Sequence, residues 1–231
     1  MSRAVVAIAL ILTSGCRCSE SGHGTPSLRI LEAHDAPQAR VAVLPPSGQP
    51  PPAGWPLLLC LDPGAGGQAC VRHLAPLSVQ DGWLVAGSLD YRNGVSSQRF
   101  VPAVERELAL LRAEYSLDPE RVVLAGLSGG GMATMVIDVF SEERFAGFVV
   151  NSGQLHPNLA GDPSELESLD VPVVVQLLGT GEQATLGPAL ERDRALLVAA
   201  GVRAQLLLFE GGHHWAPVEN YRDALAVILG E

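Results

Sequence analysis

The chain has 231 residues, 47% of them apolar, with 25 Gly, 17 Pro and 17% charged side chains; that suffices for one sizeable core but not for two ordinary domains and a linker. All 15 basic residues are Arg, which excludes a Schiff-base Lys, a P-loop Lys and a Ser–Lys dyad. A net charge of −10 argues against a nucleic-acid partner, whose phosphates call for clustered basic side chains.

Arg3 and the nine apolar residues Ala4–Leu12 have the layout of a signal peptide over residues 1–15, too short to span a bilayer. The run Thr13-Ser14-Gly15-Cys16 resembles a bacterial lipobox, with Thr13 where an aliphatic residue is usual. The resemblance implies acylation of Cys16. The expectation is an exported protein, either an anchored lipoprotein or a periplasmic or extracellular one, that meets membrane only through its lipid. A plain secretory signal is the other reading. Residues 16–27 are polar and Gly-containing and read as a flexible tether, which leaves 28–231 as the folded domain.

Short apolar runs then alternate with helical patterns. Leu28–Leu31 and Val41–Leu44 read as early strands. Pro45–Pro56 holds six Pro in twelve residues and reads as a surface connection outside the sheet. Leu57–Leu61 reads as a strand buried on both faces, and Trp83–Leu89, Arg121–Ala125, Phe145–Val150, Val171–Leu178 and Ala204–Phe209 repeat the pattern. Val101, Val104, Leu108, Leu111 and Tyr115 step at helical spacing, as do Val218, Tyr221, Leu225 and Ile228. This order predicts an α/β domain with a mostly parallel central sheet and helices on both faces. Ser152–Asp170 is the one place for a small cap, and it is too short for a large lid. Cys60 and Cys70 form either a disulfide or two buried free thiols. No Cys-x-x-Cys or His-Glu-x-x-His occurs, so neither metal nor cofactor is expected.

In such a sheet, ligands sit at the carboxyl ends of the strands. After Arg121–Ala125 comes Gly126-Leu127-Ser128-Gly129-Gly130, a G-x-S-x-G nucleophile elbow. A Ser hydroxyl needs a base at neutral pH, and Gly211-Gly212-His213-His214-Trp215 follows the last strand. Two adjacent His cannot both face one Ser, so one of them is structural or lines the pocket. Gly179-Thr180-Gly181-Glu182 follows the preceding strand, which makes Glu182 the best acid to orient the imidazole. Asp162, Asp170 and Asp193 are weaker candidates. The chain order Ser, acid, His matches the α/β-hydrolase arrangement. Oxyanion donors are expected from the Gly129 N–H and from Ala65 or Gly66, in the loop Asp62-Pro63-Gly64-Ala65-Gly66-Gly67. Tyr91, Arg92, Asn151 and Trp215 are candidate pocket residues, with Asn93 and Ser152 beside them.

At these residues the sequence resembles the α/β-hydrolases, and more narrowly the secreted esterases related to polyhydroxybutyrate depolymerase and feruloyl esterase. Asp118–Ala133 is similar to that group's elbow, and Gly211–Trp215 to its G-G-H-x-W segment. As architecture the resemblance covers roughly residues 55–231. It implies that His213 is the base and His214 the variable position. Three features depart from the pattern: Pro63-Gly64 where His-Gly is usual, Glu182 for Asp, and too few aromatics, at 5%, for a polymer-binding surface. The reading is a serine esterase acting on a small ester, with Ser128, His213 and Glu182 as triad. A peptidase of the prolyl-oligopeptidase type shares the trio, and a non-catalytic binding lipoprotein that keeps the fold is the rival outside enzymes.

Overall fold

The computed structural model describes residues 27–33, 38–161 and 163–231. The signal segment, Cys16, most of the tether and Asp162 lie outside the described residues. The described residues form one eight-stranded sheet in the order β1-β2-β4-β3-β5-β6-β7-β8. Its strands are β1 (Arg29–Ala33), β2 (Ala39–Leu44), β3 (Trp55–Leu61), β4 (Leu84–Ser88), β5 (Leu117–Leu127), β6 (Gly147–Asn151), β7 (Val173–Gly179) and β8 (Arg203–Phe209). β2 runs antiparallel to β1 and β4, and β3 to β8 are parallel.

The helices are α1 (Gly67–His73), α2 (Ala75–Asp81), α3 (Ser97–Glu114), α4 (Gly129–Phe140), the short α5 (Pro157–Gly161) and α6 (Pro163–Leu166), α7 (Gly187–Ala199) and α8 (Val218–Leu229). Alternate residues of the central strands serve two cores. Leu57, Leu59, Leu61, Val122 and Leu124 face α3 and α4, whereas Leu58, Cys60, Val123 and Ala125 face α1, α2 and α8. This two-residue alternation, apolar on both sides, is why the strands read as continuous apolar runs. Within Ser152–Asp170, the one place open to a small cap, the chain forms the short α5 and α6.

Two readings need correction. Trp55 and Pro56 belong to β3, not to the preceding connection. The register shifts between Trp55 and Leu57, so Pro56, which has no N–H, sits at an irregularity rather than in a regular ladder. β5 also begins earlier than its apolar run, at Leu117, where it pairs with Trp55. As for the cysteines, Cys60 and Cys70 are buried free thiols. Burial pushes the Cys70 thiol well above its ordinary range, and its hydrogen bond with Cys60 adds to the shift.

The direction of the crossovers positions the site. From β3 the chain turns to α1 on one face and then to β4; from β5 it turns to α4 on the other face and then to β6. Between β3 and β5 the order reverses, which opens a crevice above their carboxyl ends.

One buried polar group braces the rim of that crevice. Glu107 of α3 is fully buried and accepts a hydrogen bond from Ser88 Oγ at 2.8 Å. The same hydroxyl accepts the N–H groups of Tyr91, at 3.0 Å, and Asp90, at 3.3 Å. Glu107 Oε2 has no hydrogen-bond partner, and burial raises this carboxyl well above its ordinary 4.5. The folded protein therefore holds a proton that the unfolded chain releases above that value, and stability falls as pH rises through it. Glu107→Gln is expected to raise the melting temperature at pH 7, by about 2–4 °C for each kcal/mol gained. The gain should vanish below pH 4.5, where both states hold the proton; thermal melts at the two pH values check this.

Candidate active site

The turn from β5 into α4 is tighter than side chains permit. A Cβ on Gly126 would overlap the Gly130 backbone, so only glycine fits there. Ser128 takes φ 53° and ψ −120°, a conformation that costs an L-residue on the order of 1–3 kcal/mol. It is held by its N–H, which donates to Asn151 O at 2.8 Å, and by its carbonyl, which accepts the Met132 N–H at 3.2 Å. The hydroxyl-bearing residue is thus fixed at the start of α4 and lines a cavity of about 390 Å³ with His213, Glu182 and Ser152.

Glu182 ends a single 3₁₀ turn, Thr180–Glu182, directly after β7. His213 lies in the loop between β8 and α8. A backbone bond of 2.7 Å from the Gly181 N–H to Gly211 O joins the two loops. Glu182 Oε1 lies 2.6 Å from His213 Nδ1, and Oε2 accepts the Ser152 hydroxyl at 2.7 Å. With Nδ1 on the carboxylate, the neutral imidazole presents an acceptor at Nε2. The bond from Ser128 Oγ to that nitrogen is not formed in this arrangement, and such bonds commonly tighten only around substrate. The Glu182 side chain is 15% exposed and that of His213 51%, so the carboxylate is the sheltered member of the pair. Of the weaker acids, Asp193 is fully buried and accepts the Leu155 N–H at 2.7 Å, while Asp170 pairs with Arg144 on the surface.

Two candidate pocket residues have other work. Asn151 is fully buried and is not among the residues lining the cavity that holds Ser128. Its Oδ1 accepts the Ala216 N–H at 2.7 Å and the Tyr221 hydroxyl at 3.3 Å. Its Nδ2 donates to His214 O and Ser152 Oγ, both at 3.2 Å. The carboxamide therefore staples the His213 loop to the end of β6. Trp215 lines neither of the two cavities beside Ser128 and Tyr91, and its Nε1–H donates to Asp62 Oδ2 at 3.0 Å. Tyr91 and Arg92 do line a cavity, a second one of about 810 Å³ that also includes Asn93, Gly129 and Met132. His214 packs on Phe209 with ring centroids 5.5 Å apart and bonds Trp215 O through Nδ1 at 2.9 Å.

Sequence reasoning missed Asp62. Its Oδ1 accepts the Gly64 N–H at 2.8 Å and the Gly66 N–H at 3.0 Å, and its carbonyl takes the Ala65 N–H at 3.2 Å. The Ala65 and Gly66 N–H groups, expected to face an oxyanion, are thus spent inside their own loop. An Asp two residues before a Gly is an Asx-turn signal that could have been read. Through Trp215, this one carboxylate also ties the β3–α1 loop to the loop carrying His213. Asp62→Ala leaves three donors unpaired and is expected to cost about 2–4 kcal/mol, since bonds to a charged acceptor contribute roughly 1.5–3 kcal/mol each and do not add fully. Denaturant unfolding followed by Trp fluorescence measures it.

No family model matches the chain, and no curated protein matches it in sequence. Solved structures do resemble it. A thermostable esterase aligns over 88% of this chain and 62% of its own length, at 19% identity and a TM-score of 0.65. A thermophilic carboxylesterase cloned from a metagenomic library aligns over 90% and 89% of the two chains, at 16% identity and 0.64. An acylaminoacyl peptidase of Pyrococcus horikoshii aligns over 90% of this chain, at 13% identity and 0.63. The chain spans under two thirds of the first of these and 41% of the peptidase. With its strand order, its reversal between β3 and β5 and its strained Ser at the carboxyl end of β5, this chain has the α/β-hydrolase fold.

Proposed function

We propose that the protein is a serine hydrolase that cleaves small carboxylic esters through an acyl-enzyme. The observation that carries this reading is Ser128, strained at the elbow and lining one cavity with a His213–Glu182 pair joined at 2.6 Å. Ser128 Oγ attacks the ester carbonyl as its proton passes to His213 Nε2. Glu182, held from behind by Ser152, stabilises the imidazolium. The carbonyl oxygen takes up the negative charge near the Gly129 N–H, at the start of a twelve-residue helix whose dipole favours an anion. Collapse breaks the bond to the alcohol oxygen, which receives the His213 proton. Water then gives a proton to His213 and its oxygen to the acyl carbon, and the acid leaves with Ser128 restored. No metal or cofactor takes part in this scheme. On this proposal the signal-peptide layout of residues 1–15 supports export, so the reaction takes place outside the cytoplasm.

The two cavities divide the substrate. Because His213 must protonate the departing alcohol, the alcohol leaves on the side of the smaller cavity, among Ser152, Gln154 and Thr185. The acyl chain then enters the larger one, whose walls include Tyr91, Phe100, Ala133, Val136 and Leu159. Val139→Trp, at the wall of that cavity, is expected to reduce kcat/KM for an octanoyl ester by about tenfold or more while changing an acetyl ester by less than about twofold, because a few methylenes in an apolar site carry that much discrimination.

The primary test is labelling with a fluorophosphonate probe alongside hydrolysis of p-nitrophenyl esters. Ser128→Ala should lose all labelling. His213→Ala should lower kcat by about 10⁴-fold or more and Glu182→Gln by on the order of 10³–10⁴. Well-folded protein that neither labels nor hydrolyses would overturn the reading in favour of a binding module. Turnover of peptide amides in preference to esters would move it to the peptidases.

A further inference from the structure

We propose that the side-chain amide of Asn93 supplies the second oxyanion donor, opposite the Gly129 N–H, in the role that the β3–α1 loop backbone was expected to fill. The inference rests on the serine-hydrolase reading and assigns a catalytic residue within it.

The loop amides expected to face an oxyanion are committed. Gly64 and Gly66 donate to Asp62 Oδ1, at 2.8 and 3.0 Å, and Ala65 donates to Asp62 O at 3.2 Å. A backbone N–H has a single proton, so recruiting any of these to an oxyanion breaks a bond that shapes the loop. Asp62 cannot easily turn away, because Trp215 Nε1 holds its other oxygen at 3.0 Å.

Asn93 fills the gap from the other side. Its own N–H donates to Pro63 O at 2.9 Å, which ties the β4–α3 loop across to the β3–α1 loop. The carboxamide consequently rests on the α-carbon of Gly129, the residue directly after the nucleophile. A Cβ on Gly129 would overlap Asn93 Oδ1 and lie 3.0 Å from Nδ2, so the amide sits directly against the residue whose N–H is the first donor. Both residues line the larger cavity together with Met132, and Met132 in turn borders the cavity that holds Ser128.

The amide is also oriented. The Tyr91 hydroxyl donates to Asn93 Oδ1 at 3.3 Å. The Tyr91 ring is almost wholly buried and packs edge-on against Phe100 at 5.4 Å. Burial, with the nearby Asp62 charge, pushes its phenol up to about 12, so the hydroxyl keeps its proton and stays a donor. Oδ1 therefore faces Tyr91, and Nδ2 is left without a hydrogen-bond partner among the described residues. Behind it, Ser88 Oγ accepts the Tyr91 N–H and donates its own proton to Glu107. A donor fixed before substrate arrives costs no reorganisation when charge develops, which is the condition for strong stabilisation of a transition state.

The test uses the intact protein with p-nitrophenyl acetate and butyrate, and a trifluoromethyl ketone that adds to Ser128 as a hemiketal oxyanion. Asn93→Ala removes the amide, and Asn93→Asp keeps its shape but has no N–H to donate. Both should lower kcat by about 10²–10³-fold with KM nearly unchanged. The ketone inhibition constant should rise in step, which a merely structural role would not produce. Because Asn93 is exposed and Asn93→Asp keeps the acceptor for the Tyr91 hydroxyl, that variant should melt with the parent protein, while Asn93→Ala is expected to melt slightly lower. If the parent labels and turns over but both variants keep kcat within about threefold, or change only KM, the donor lies elsewhere and the hydrolase reading stands. If the parent itself neither labels nor turns over, the assignment falls together with that reading.

Discussion

The contact between Gly126 and Gly130 is the constraint on which the rest of the site depends. Two backbones touch where a single Cβ would force them apart, and this lets a strand in the middle of the sheet reverse into a helix within one residue. Ser128 carries the cost as a positive φ of 53°. The flanking structure sustains it because β5 is locked between β3 and β6 over the whole of its carboxyl half. A strained residue persists only where its surroundings over-determine it, and the centre of a parallel sheet is the most over-determined part of this fold. The surrounding loops are arranged to meet that fixed point.

They meet it through two side chains that accept or donate in several directions. Asn151, at the end of β6, satisfies its carboxamide entirely on groups of the His213 loop, Tyr221 and Ser152. Asp62, at the end of β3, gathers its own loop and Trp215. Trp215 and Tyr221 in turn pack 6.2 Å apart, so the two hubs share a wall. The result is that His213, in a loop with two glycines and half-exposed, is held from both ends although little apolar surface covers it. Polar networks of this kind fix geometry when every member is satisfied, which suits a loop that has no core of its own.

Much of this was legible in the sequence. Runs such as Leu57–Leu61 and Val173–Gly179 are buried on both faces, so length and apolarity alone identified them, and the order of strands brought the loops of Ser128, Glu182 and His213 to one end of the sheet. What was hidden depends on the direction in which a polar side chain points. In sequence Asn151 and Trp215 read as pocket residues, yet Asn151 is spent on groups of the His213 loop and Trp215 on the Asp62 carboxylate. Ala65 and Gly66 have the flexibility of an oxyanion loop, but Asp62 claims both amides first, that of Gly66 through its carboxylate and that of Ala65 through its carbonyl. Pro56 looked like the end of a connection because proline cannot join a regular ladder, and a register shift next to it removes the objection. Pattern gives elements and their order; hydrogen-bond competition at their ends is settled only in three dimensions.

Met132 shows how one residue's place in a helix can shape a whole cleft. It lies four residues after Ser128 and donates its N–H to the Ser128 carbonyl, so it stands one turn further along α4 on the same face. Helical side chains lean back toward the amino end, and Met132 accordingly borders both the cavity of Ser128 and that of Tyr91 and Asn93. On the proposed reading, a group attached to a carbonyl at Ser128 passes on one side of this thioether or the other. An unbranched, polarizable side chain adapts to what lies against it, so this divider fixes the two directions a substrate can take without fixing their width. Width is set instead by rigid neighbours: Tyr91, pinned by burial and Phe100 on one side, and Glu182, pinned by Ser152 and His213 on the other. On the proposed reading, selectivity for the acyl part belongs to the α3, α4 and α5 walls of the larger cavity, which can vary without disturbing the Gly126–Gly130 contact or the loops that converge on it.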